Sequence, residues 1–235
     1  MNIAAHILVF IIIILLPLIS VFSMRRLRQV HDLNINRAMD YLINAAFLWF
    51  LALLIGLNWF YLGRSYESLG LGTPDTTSIV IISTIIILAL ILVRVVRGKI
   101  LANDDYKHKL LGSLDYVLIL LPRTRRDLRA FFLLSISAGI CEEILYRGFL
   151  YEYLLQFLSL FWVVIISSIL FGIAHSYQGI RGIPLTGLIG LALGLIYVYT
   201  GTLWASIALH AAIDMGYGYL SWLAMQDRGE RDRHP

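Results

Sequence analysis

Long apolar runs recur along this chain of 235 residues, and they constrain its fold more than any other feature. A helix that crosses a bilayer needs about 20 mostly apolar residues. Runs of this kind lie at about Ile7–Val21 (starting as early as Ile3), Tyr41–Leu62, Ser78–Val96, Ala130–Leu150, Phe157–His175, Ile183–Tyr199 and Leu203–Leu223. They predict an all-α polytopic membrane bundle of about seven transmembrane helices. Composition agrees. The chain is 59% hydrophobic and 14% charged, with a mean hydropathy of +0.79. Soluble domains are about half apolar and a quarter charged.

The first run is not read as a signal peptide. Its basic cluster, Arg25, Arg26 and Arg28, follows the apolar stretch, and no small-residue cleavage site separates the two. Between the third and fourth runs lies a polar segment whose apolar core, Leu114–Leu121, is too short to cross and suits the membrane interface. The tail "QDRGERDRHP" is charged, lacks aromatics, and is expected to be disordered.

Lys and Arg in short loops set orientation. With the amino terminus outside, 17 of the 19 basic residues fall on the cytoplasmic side, and only Arg64 and Arg147 do not. The carboxyl terminus is then cytoplasmic. The net charge of +4 is distributed in this way and does not signal a nucleic-acid partner. Cys141 is the sole cysteine, so no intramolecular disulfide can form.

The last four runs carry buried polar groups, and the first three carry almost none. "CEEILYRGFL" places Glu142, Glu143 and Arg147 in one apolar run. Each charge at mid-bilayer costs about 2.5–3.5 kcal/mol on insertion scales. Glu143 and Arg147 are four apart and can pair on one helix face. Glu142 lies about 100° away and is left as a free carboxylate. "FGIAH" sets Phe171 and His175 on one face, and "HAAID" sets His210 and Asp214 on another, where the carboxylate can hold the ring and its tautomer. Each motif alone also suits a structural role that ties helices together. A carboxylate and imidazoles around a water are the equipment of hydrolysis. Glu142, His175 and His210 could equally hold Zn²⁺, although the H-E-x-x-H pattern is absent. Cys141 points away from Glu142 and reads as packing.

E-E-x-x-x-R, F-x-x-x-H and H-x-x-x-D in this order, over about residues 127–223, resemble the CAAX-protease and bacteriocin-processing (Abi) family of intramembrane proteases. The Ras-converting prenyl endopeptidase belongs to that family. The resemblance implies an intramembrane endopeptidase. Glu142 and His175 would activate water, His210 and Asp214 would form the oxyanion side, and Glu143, Arg147 and Phe171 would support them. Asp214 stands where the prenyl-endopeptidase branch has Asn, so it would orient His210 instead of donating. The cofactor is none or Zn²⁺. The partners that the resemblance implies are a peptide or membrane-protein substrate and the lipid bilayer. The expected location is a bacterial cytoplasmic membrane.

The expected organisation is accessory helices and an interfacial segment over 1–126, a protease core over 127–223, and a cytoplasmic tail over 224–235. The competing reading is a non-catalytic membrane partner or bacteriocin self-immunity protein that uses the same cavity for binding. A proton-coupled transporter is disfavoured because the polar groups are confined to one half. One tension remains in this topology. His175, six residues before Arg181, is expected nearer the cytoplasm than Glu142 and His210.

Overall fold

The computed structural model describes residues 2–29 and 36–226, and these are all-helical. The expected disordered tail beyond residue 226 lies outside them, as do Arg228, Arg231 and Arg233.

Helix α1 runs over residues 3–29, with a π-helical turn at Ile11–Leu15. Then follow α2 (Arg37–Tyr61), α3 (Thr76–Ala102) and the short α4 (Asp104–Ser113). Helix α5 covers residues 125–154 as Arg125–Glu143, a π-helical stretch Ile144–Phe149, and Leu150–Leu154. Helices α6 (Leu160–Ala174), α7 (Gly182–Thr200) and α8 (Trp204–Gln226) complete the bundle. Helix α8 ends at Gln226, inside the segment expected as tail, and its Ala224 is fully buried.

Local chemistry sets several of these boundaries. Asp75 caps α3 by accepting from the Ser78 amide at 2.8 Å. The hydrogen bonds from Ser78 hold its carboxyl below the usual carboxylate range. Thr124 and Asp127 form a reciprocal capping box at the start of α5. The interfacial core expected at Leu114–Leu121 is a 3-10 turn, Asp115–Leu120. It is tied to α2 through Arg37 Nε donating to the Ile119 carbonyl (3.1 Å) and the Tyr41 hydroxyl donating to the Leu120 carbonyl.

Among the described residues four helical spans are long and apolar enough to cross a membrane: Ile3–Phe22, Arg37–Tyr61, Thr76–Ala102 and Gly182–Thr200. Leu160–Ala174 is apolar but shorter. Helix α3 turns Ile86, Ile87, Leu88, Leu90 and Leu92 outward. So much exposed apolar surface suits lipid and not water. In lipid every backbone polar group must be bonded within its own element, which a helix achieves. The chain is an integral membrane protein.

Helices α5 and α8 form the centre. Helix α5 packs against α2 on one side and α8 on the other, and α8 in turn packs against α3. Helices α6 and α7 pair beside them. Without a hydrophobic drive between helices in lipid, small residues allow the close contacts. A Cβ on Gly139 would lie 3.0 Å from Ala211 Cβ and 3.2 Å from the Ile207 carbonyl. That close approach of α5 to α8 brings Glu142 and Glu143 alongside His210. Gly172 gives α6 the same access to α7, where an added Cβ would meet the Ile183 carbonyl.

Candidate active site

Two carboxylates, two imidazoles and one guanidinium meet where α5, α6 and α8 converge. Glu143 and Arg147 pair as their spacing predicts, with Arg147 Nη1 donating to Glu143 Oε1 at 2.8 Å. Both side chains are essentially without solvent exposure. Arg147 Nη2 also donates to the Gly190 carbonyl on α7 at 2.8 Å. Arg147 lies in the π-helical stretch of α5. Such single-turn insertions are frequent at functional sites.

Glu142 occupies the other face. Its Oε2 lies 3.7 Å from His175 Nε2 and 3.9 Å from His210 Nε2, and has no hydrogen-bond partner among the described residues. A polar gap wider than about 3.5 Å is one that a water can bridge.

The expected depth mismatch of His175 does not arise. Helix α6 is only 15 residues long and ends beside Glu142, with His175 as its C-cap. The following turn, Ser176–Gln178, folds back against α6 and α7 before Arg181 is reached. His175 Nδ1 lies 2.8 Å from the Phe171 carbonyl. A carbonyl only accepts, so Nδ1 carries the proton, and in the neutral ring Nε2 presents its lone pair to Glu142.

His210 departs from the expected arrangement. Its short contact is Nδ1 to Glu143 Oε1, 2.8 Å, while Asp214 Oδ2 stays 3.8 Å from Nε2. The ring is therefore held by Glu143 from the neighbouring helix. Spacing along α8 indicated Asp214, because a tertiary partner leaves no mark in a single helix. Asp214 lies at the rim, about a third exposed, while the His210 side chain is 6% exposed.

Phe171 is the packing hub. Its ring centroid is 4.5 Å from that of His175 and 5.7 Å from that of His210, and Arg147 Cζ lies 4.4 Å over its face. Tyr146 packs edge-on against it at 5.1 Å. Cys141 is fully buried in the apolar core, in keeping with a packing role. Gly190 escaped the sequence reading. An added Cβ there would lie 3.1 Å from Phe171 Cδ1 and 3.2 Å from Arg147 Nη2. The spacing of Gly187, Gly190 and Gly194 along α7 was the available signal.

The Zn²⁺ alternative does not fit this geometry. Among the described residues no group of three or more His, Cys, Asp or Glu side chains is arranged to hold a metal ion. No reaction step below is routed through one.

Residues 124–216 match the family model described as type II CAAX prenyl endopeptidase Rce1-like. This segment is similar to that family. It begins at Thr124, the cap of α5, and contains Glu142, Glu143, Arg147, Phe171, His175, His210 and Asp214. The Rce1-like family is one of proteases. No curated protein and no solved structure matches the chain.

Proposed function

We propose that the chain is an endopeptidase that hydrolyses a peptide bond of a membrane-associated peptide or protein within or near the bilayer. The observation that carries this is the convergence of two imidazole Nε2 atoms, from His175 at the end of α6 and His210 on α8, on Glu142 Oε2, a buried carboxylate oxygen without a hydrogen-bond partner among the described residues. The Rce1-like match over the same residues supports it.

In this reading a water is held between Glu142 and His175, whose Nε2 accepts from it. Glu142 takes a proton as the water oxygen attacks the scissile carbonyl carbon. The carbonyl π-electrons move to oxygen, and His210 donates to the oxyanion from Nε2. Nδ1 already donates to Glu143, so this donation requires the imidazolium form. The Glu143 and Asp214 carboxylates balance that charge. Collapse of the intermediate breaks the C–N bond, and Glu142 returns its proton to the leaving amine. Arg147 fixes Glu143 and acts through it as a positioning residue.

The same proposal has seven crossings, α1, α2, α3, α5, α6, α7 and α8. The amino terminus is outside, and the carboxyl terminus is on the cytoplasmic side of a bacterial membrane. Residues 127–223 are the catalytic core and 1–126 are accessory. The basic residues flanking the helices support this orientation.

The test is cleavage of a membrane-peptide library by the purified full chain in lipid nanodiscs. Glu142→Ala and His175→Ala should each abolish cleavage while yield and thermal unfolding stay as in the parent. Full activity in both variants would sink the proposal.

A further inference from the structure

Helix α5 carries an exposed stripe that changes character along its length. Arg125, Arg126, Arg129, Leu133 and Ile136 fall within about 100° of its circumference, and all five are exposed. Three cations thus stand where α5 begins. The apolar side chains follow about 6 and 10 Å past Arg129 along the axis, at the rise of an α-helix.

The cations are not neutralised within the protein. Among the described residues Arg125, Arg126 and Arg129 form no ion pair. The acid beside them, Asp127, is buried and turned into the capping box, where it accepts from the Thr124 amide at 2.9 Å. The wider segment does not balance them either, since residues 94–129 hold nine Lys and Arg against four Asp.

Helix α2 completes the apolar part. Trp49 lies over α5 with Nε1 donating to Ser137 Oγ at 3.1 Å, and its ring is about half exposed. Ser137 is four residues from Leu133 and adjacent to Ile136. The seam between α2 and α5 therefore presents one indole and two branched aliphatic side chains below three guanidinium groups. A tryptophan with its N–H bonded and its ring toward lipid suits the region just inside a membrane surface.

We propose that this seam binds one phospholipid with an anionic headgroup. The phosphate meets the guanidinium groups, whose planar donors match it and which are weakly hydrated. One acyl chain follows Leu133, Ile136 and Trp49. Net charge decides the class of headgroup. Phosphatidylglycerol keeps its negative charge, whereas the ammonium of phosphatidylcholine cancels it. Each Lys or Arg near an anionic lipid surface is worth about fivefold in binding. The site depends on the membrane-embedded fold and not on the proposed protease activity.

Trp49 reports occupancy, because bromine on an acyl chain quenches indole fluorescence at contact. The full chain is placed in phosphatidylcholine nanodiscs that contain a small share of brominated phosphatidylglycerol or of brominated phosphatidylcholine. The Trp49 signal is the difference from the same chain carrying Trp49→Phe. Its quenching should be several-fold greater with the brominated phosphatidylglycerol. Arg125→Gln, Arg126→Gln and Arg129→Gln together should erase that difference. Arg94→Gln, Arg97→Gln and Lys99→Gln together make the same charge change on α3 and should preserve it. Equal quenching by the two lipids in the parent would overturn the proposal. A difference that survives the α5 variant, or one lost in the α3 variant, would do so too, since overall charge and not this seam would then select the lipid. The readout needs no cleavage, so failure of this site and failure of the protease reading are distinguishable.

Discussion

His210 Nδ1 lies 2.8 Å from Glu143 Oε1, the same oxygen that Arg147 Nη1 holds at 2.8 Å. One carboxylate thus joins an intrahelical ion pair to an imidazole on another helix. Removing it leaves a buried guanidinium without its counter-charge. Breaking a buried pair from one side costs about 3–5 kcal/mol. Glu143→Ala should lose stability on that scale, measured by thermal unfolding in detergent. Because the groups act as a unit, Glu143→Ala with Arg147→Ala should cost less than the two single variants added. Simple additivity would show that the pair is not coupled.

Glu142 should behave in the opposite way. Its Oε2 has no hydrogen-bond partner among the described residues, so Glu142→Gln removes little folding energy. It does remove the base. General-base catalysis contributes about 10²–10⁴-fold, and cleavage should fall by that factor with the unfolding temperature unchanged. A variant that unfolds early while keeping its specific activity would assign Glu142 to structure.

Asp214 is 3.8 Å from His210 Nε2 and stands at the exposed rim. Asp214→Asn should reduce cleavage far less than Glu142→Gln, since Glu143 continues to hold the ring and the amide oxygen can still accept. Loss of cleavage equal to that of the Glu142 variant would make the Asp214 carboxylate part of the chemistry.

A strong chelator should leave cleavage unchanged, because Glu142, His175 and His210 are not arranged as a ligand group. Inactivation by the chelator, reversed on adding Zn²⁺, would contradict this.

Gly190→Ala should disturb the site from behind. The new methyl would press on Phe171 and Arg147 at 3.1 and 3.2 Å. Overpacking costs about 1–3 kcal/mol. Unfolding should come earlier, and cleavage should fall, as Phe171 shifts against both imidazoles. Unchanged unfolding and activity would mean that the helices separate freely at this point.

Much of this architecture was legible from residue order. Apolar runs marked the long helices, and i,i+4 spacing paired Glu143 with Arg147 and set Phe171 beside His175. Both are local, being set by the rise and turn of a single helix. The holder of His210 was not legible. The chain offered Asp214 four residues away, and the structure supplied Glu143 from α5, 67 residues distant. Gly190 was hidden for a similar reason, since its use depends on which side chain faces it.

The sequence by itself determined the helical membrane class, the residue types of the site and the pairing of Glu143 with Arg147, because burial cost and helical period act within one segment. Only the tertiary structure decided that α6 stops at His175, that Gly139 lets α8 approach α5, and that Glu143 reaches His210 while still holding its own Arg147. Those outcomes depend on contacts between helices, where the fit of one surface to another decides which polar atoms meet.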